Sequence, residues 1–133
     1  MNIDKDKPLI VCEGTISSMN LPNAISTNGI KKQGKEFINY IEHRFGGEKN
    51  IIYANDNEMV DEDAKRKTEE LLNMGKRVFL WSLMVRDIPK ISHLKDFNDI
   101  CVAAKKTTIP LSTIEKYTVN GKFDKIRMLA YVE

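Results

Sequence analysis

PLIVCEG, residues 8–14, sets a short β-branched run directly against an acid and a glycine. Consecutive apolar residues with no alternation suit a strand buried on both faces, and such a strand needs helices above and below it. That places the chain in the α/β class. The alternation of short apolar runs with amphipathic stretches continues outward from there. Residues 16–21 predict a brief helix that Pro22 stops, residues 23–26 a second strand, and Gly29 a turn. Phe37, Ile38, Ile41 and Phe45 recur at helical spacing, and Gly46-Gly47 ends that helix. NIIYAN, residues 50–55, predicts a third buried strand. A helix over residues 60–74 follows, with Val60, Ala64, Leu71 and Leu72 as its apolar stripe. Its first turn carries Asp61, Glu62 and Asp63, which complement the positive end of the helix dipole. After Gly75, KRVFLWSL (residues 76–83) predicts a fourth strand. Ile88-Pro89 breaks the chain, a helix spans residues 97–105, and a last helix starts at Gly121 with Phe123, Ile126, Leu129 and Ala130.

The 133 residues suffice for one compact domain with a real core. A mean hydropathy of −0.39 with 30% charged residues excludes a membrane protein and a disordered charged tail alike. The longest apolar run, VFLWSLMV, is far short of a membrane span, and the polar amino terminus lacks a signal-peptide pattern. The expected location is therefore the cytoplasm. A net charge of +2 fits a local basic patch, not a polycation. Cys12 and Cys101 are too few for a disulfide framework, and neither they nor His43 and His93 have zinc-ligand spacing.

The acids fall at informative places. Glu13 follows the first predicted strand, Asp56 and Glu58 follow the third, and Asp96 and Asp99 follow the fourth after a loop. In a parallel sheet these segments emerge at one edge, the carboxyl edge, where α/β proteins bind ligands. Adjacent strands lie about 4.8 Å apart, so acids from neighbours can reach a common point. Converging carboxylates repel unless a cation or proton lies between them, and oxygen-only donors select magnesium or manganese. Two such ions about 3.5–4 Å apart serve displacement at phosphorus, and Lys95 adds a positive contact for a phosphate oxygen. Spacing alone leaves a second reading open, in which Asn57 or Asp61 and Asn98 simply cap helices.

The motifs LIVCEGTISSMNLPNAIST, IIYANDNE and KDFNDI, in that order, resemble the Toprim domain shared by primases, topoisomerases and certain nucleases. The likeness is greatest to the Toprim region of DNA primases from T-even-type tailed bacteriophages. The tail YTVNGKFDKIRMLAYV is similar to the helix that closes those proteins, so the likeness runs from about residue 7 to the end. It implies a single Toprim-like, Rossmann-like domain over residues 1–133, with a mostly parallel four-stranded sheet flanked by helices. The core would span residues 7–106 and an extension residues 107–133.

The resemblance further implies magnesium-dependent, or manganese-dependent, nucleotidyl transfer in DNA replication. Glu13 would be the acid/base or metal-binding glutamate, Asp56 and Glu58 the metal ligands, and Asp96 the completion of the acidic cluster. Lys95 and Asn98 would shape the nucleotide or phosphate pocket. Implied partners are single-stranded DNA or RNA, nucleoside triphosphates, a replicative helicase or a separate polymerising subunit, in the host cytoplasm for a phage-encoded chain. Ser17 stands where that family often has an acid, and Glu58 replaces its commoner second aspartate. A whole primase of this type also needs a zinc-binding segment and a polymerising region upstream. The chain is thus expected to be either a fragment or a stand-alone Toprim protein. A small Toprim nuclease and a non-catalytic docking module are the alternatives.

Lys31, Lys32 and Lys35 follow the second strand and are candidates for contact with a template. Lys65-Arg66-Lys67 and Lys105-Lys106 have the pattern of nucleic-acid contacts, but Lys65–Lys67 is better read as a solvated helix face. Phe79 and Trp81 are read as core, and Met19 and Met74 as packing residues.

Overall fold

The computed structural model describes residues 3–27, 34–45 and 50–121. Its elements in chain order are β1 (Leu9–Cys12), α1 (Thr15–Asn20), β2 (Ala24–Ser26), α2 (Gly34–Arg44), β3 (Ile51–Ala54), α3 (Glu62–Asn73), β4 (Arg77–Phe79), α4 (Trp81–Asp87), α5 (Phe97–Ala104), α6 (Leu111–Lys116) and β5 (Thr118–Asn120). A single turn of 3-10 helix, Pro89–Ile91, joins α4 to the α5 loop.

The sheet is five-stranded and mixed, in the order β2-β1-β3-β4-β5. The first four strands are mutually parallel, and β5 closes the edge antiparallel to β4. Every residue of β1 and β3 is buried, as strands covered on both faces must be. Chain order and spatial order part company at β1: β2 lies on one side of it and β3 on the other. The connections therefore diverge between β1 and β3, and the carboxyl ends of such a pair of strands are where open α/β sheets bind ligands.

Two expectations need correction. The fourth strand stops at Phe79, and Trp81 begins a helix instead of continuing the sheet. A continuous apolar run carries no period to separate a buried strand from a buried helix. The tie-break is remote in sequence: the Glu58 carboxylate accepts the backbone N–H groups of Trp81 and Ser82, filling donors that a helix start leaves free. The sheet also has five strands where four were expected, because Thr118–Asn120 pairs with β4. Three residues are too few to show an alternating pattern. The helix expected beyond Gly121 lies outside the described residues.

The core gathers around Phe79, Trp81 and Phe97, all essentially inaccessible to solvent. Phe79 meets Trp81 edge-on with ring centroids 6.3 Å apart and Phe97 at 5.3 Å, and the indole N–H donates to the Asn55 carbonyl at 3.1 Å. Phe79 and Trp81 are thus core, as expected, whereas Met19 is exposed. Gly121 packs against α3 so closely that a Cβ there would run into the Leu72 carbonyl group, with the Leu72 Cα and C only 3.1 Å away. Gly121→Ala is expected to destabilise the protein by about 2 kcal/mol in urea unfolding, because both colliding partners are backbone.

Candidate functional site

β1 and β3 run in register, Cys12 beside Ala54, so the residues that follow them leave the sheet together. Glu13 comes one residue after β1 and Asp56 two residues after β3. Their side chains come close enough together that Glu13 adds to burial in holding the Asp56 carboxyl up. Burial pushes the Asp56 carboxyl up to about 7, and the charges of Glu13, Asp96 and Asp61 push the same way. The neighbouring Cys12 thiol is driven up to about 12, first by burial and then by Asp56 and Glu13, so it stays a neutral thiol.

Asp96 arrives from another direction. It is the N-cap of α5, where its side chain accepts the Asp99 N–H at 2.9 Å and the Asp99 carboxylate reaches back to the Asp96 and Lys95 N–H groups. The capping role considered for Asn98 thus belongs to Asp96, while half-buried Asn98 sits in the first turn of α5. Asp61 caps α3 by accepting the N–H groups of Asp63 and Ala64. Lys95 is exposed, with Nζ 3.9 Å from Asp61.

Asn57 is what brings Asp96 towards Asp56. It is fully buried between two acids and donates through Nδ2 to the carbonyls of Leu94 at 2.7 Å and Ser92 at 3.3 Å. Its backbone N–H donates to the Lys95 carbonyl at 2.8 Å, and its Oδ1 accepts the Met59 N–H. One residue thus binds the loop after β3 to the loop before α5. Sequence reading offered Asn57 only as a helix cap; the cap of α3 is Asp61, and the bridging role of Asn57 was not foreseen because its partners, Ser92, Leu94 and Lys95, are remote in sequence.

Glu58 points elsewhere. It is 5% exposed, and its carboxylate is taken up by the start of α4. Burial holds its carboxyl up to about 7 against the lowering effect of those backbone bonds. The structure therefore unites Glu13 and Asp56, sets Asp96 within reach of their field, and does not bring Glu58 to them. Lys35 is exposed in the first turn of α2, and Lys31 and Lys32 lie outside the described residues. Ser17 is buried in α1.

No protein-family model matches the chain, and no curated protein does either.

The donor set can be weighed on its own chemistry. Among the described residues, no three His, Cys, Asp or Glu side chains are arranged to hold one metal ion. Two carboxylates sharing one point is nevertheless what a magnesium site requires, since that ion keeps several waters and takes substrate phosphate oxygens as further ligands. Burial first, and then the charges of Glu13 and Asp96, disfavour the Asp56 carboxylate, and a bound cation would relieve the charge part of that penalty. Glu13 and Asp56 fit a hard divalent cation as a partial, oxygen-only donor pair. Among the described residues, no helix is long and apolar enough to cross a membrane.

Proposed function

We propose that this chain is a Toprim-like domain of the bacteriophage primase type, supporting magnesium- or manganese-dependent nucleotidyl transfer on nucleic acid. The observation that carries the reading is the approach of Glu13 and Asp56 to each other at the carboxyl ends of adjacent parallel strands, where the sheet's connections diverge. Glu13 and Asp56 would hold the cation, with Asp96 adding negative charge behind them. The bound ion supplies neutralisation of the triphosphate and of the oxygens in line for displacement. Exposed Lys95 offers its ammonium to a phosphate oxygen, and Asn98 contributes amide donors on the same turn. Single-stranded DNA or RNA and nucleoside triphosphates are the substrates of this reading, and a helicase or separate polymerising subunit its protein partners.

The engagement of Glu58 by α4, and the lack of a third converging donor among the described residues, favour one alternative: a non-catalytic module that docks on nucleic acid. The test is incubation with single-stranded DNA or RNA templates, nucleoside triphosphates and Mg2+, alone and with candidate polymerising partners. Nucleotide incorporation that is lost in Glu13→Gln supports the proposal. Strand cleavage without incorporation would identify a nuclease using the same carboxylates. Binding that persists in EDTA, with no turnover under any condition, would identify the docking module.

A further inference from the structure

Lys67 does not behave as one more cation on a solvated helix face. Its neighbour Arg66 does: the guanidinium closes on its own helix, 2.8 Å from Asp63 and 2.9 Å from Glu70. Lys67 instead leaves α3 and crosses to the loop after β1, where Nζ lies 3.4 Å from the Glu13 carboxylate while also 3.1 Å from Asp63. Its side chain is 43% exposed and that of Glu13 23%, so the contact is partly shielded from solvent. Five carboxylates border this edge: Glu13, Asp56, Asp61, Asp63 and Asp96. The ammoniums recorded against them are Lys67 and, on Asp61, Lys95. Lys67 is the one of the two that meets a member of the Glu13–Asp56 pair.

We propose that Lys67 is a counter-ion built into the site, and that it becomes a phosphate-binding group when a divalent cation takes over the charge of Glu13. The inference rests on the metal-binding reading of Glu13 and Asp56. An ammonium and a divalent cation cannot both lie against Glu13 without repelling each other. The lysine stem has four rotatable carbons and its head is a compact point charge, so Lys67 can leave Glu13 without disturbing α3. The cation and the substrate phosphates would share one sheet edge with Lys67, so the released ammonium stays within the field of the phosphates. A residue with these two roles affects two ligands in opposite directions, which a merely structural lysine would not do.

The test uses Lys67→Gln and Lys67→Arg in the full chain, with two probes: Mn2+ by titration calorimetry, and a fluorescent dT12 oligonucleotide by anisotropy, with Mg2+ and with EDTA. Lys67→Gln is expected to bind Mn2+ roughly tenfold more tightly than wild type, because a competing positive charge is gone. In Mg2+ it is expected to bind dT12 roughly threefold to tenfold more weakly, with the loss shrinking below about twofold in EDTA, where Glu13 and Asp63 hold the wild-type ammonium. Lys67→Arg, which keeps the charge, restores dT12 binding in Mg2+. Wild type that binds Mn2+, with Lys67→Gln binding it equally or less tightly, overturns the inference and leaves the metal site standing. So does a dT12 loss that is equal in Mg2+ and EDTA. Failure of wild type to bind Mn2+ at all removes the metal reading and this inference with it.

Discussion

Asp56→Asn is expected to weaken Mn2+ binding by on the order of 100-fold, because it removes one of the two carboxylates that converge among the described residues. The same substitution should stabilise the protein in EDTA at alkaline pH. The Asp56 carboxyl stands at about 7 in the folded chain against 3.8 when unperturbed, chiefly through burial and then through Glu13 and Asp96. Between those values the folded protein holds a proton that the unfolded chain has released. Stability is therefore greatest below about pH 4 as far as this group is concerned, and falls as pH rises through about 7. Glu58, also raised to about 7 by burial, adds a loss of the same sign over the same range. Since Asp56 is only half-buried, its share at pH 8 is about 1–2 kcal/mol once solvent screening is allowed for. Urea unfolding in EDTA at pH 5 and pH 8 measures this. Wild type should be weaker at pH 8, and Asp56→Asn should recover part of the difference there while changing little at pH 5. Saturating Mg2+ should recover it in wild type as well, since a ligand that binds the folded state stabilises it.

Asn57→Ala is expected to cost about 3–4 kcal/mol, the largest stability effect of any polar substitution near the site. It strips partners from the Ser92 and Leu94 carbonyls and from the Met59 N–H, and it leaves a hole at a position with no exposure to water. Asn57→Asp should do no better: a carboxylate has no N–H to give those carbonyls, and its charge would be buried. A second consequence separates positioning from mere stability. The Asn57 bonds hold the Lys95–Asp96 segment against the loop after β3, so loosening them moves the Asp96 charge away from Asp56. The pH at which metal-free stability falls should then drop below 7 in Asn57→Ala. Affinity for Mn2+ should drop as well, although Asn57 offers no carboxylate.

The parts of this account that were legible in the sequence are those with a local physical cause. LIVC and IIYA are four-residue, mainly apolar runs rich in β-branched side chains and bounded by polar residues, so their shortness and composition, not their period, read as strands covered on both sides. The acids after them could then be placed at one edge without knowing any contact. KRVFLWSL could not be read in the same way, because what turns Trp81 into a helix start is the Glu58 carboxylate, 23 residues earlier. Glu58 itself was expected to be a metal ligand for a related reason. Spacing puts a side chain near an edge but does not say whether a buried backbone donor will claim it first. Lys67 was illegible in the opposite sense: its helix-face pattern is that of Arg66, and only the tertiary placement of Glu13, in the loop after β1, near α3 sets them apart.

The number of Mn2+ ions bound, counted by the electron paramagnetic resonance signal of the free ion, bears most directly on the central claim. Wild type and Glu58→Gln should bind Mn2+ alike, and Glu13→Gln and Asp56→Asn should each lose it. Equal binding by all four proteins would contradict the assignment of a cation to Glu13 and Asp56, as would loss in Glu58→Gln alone.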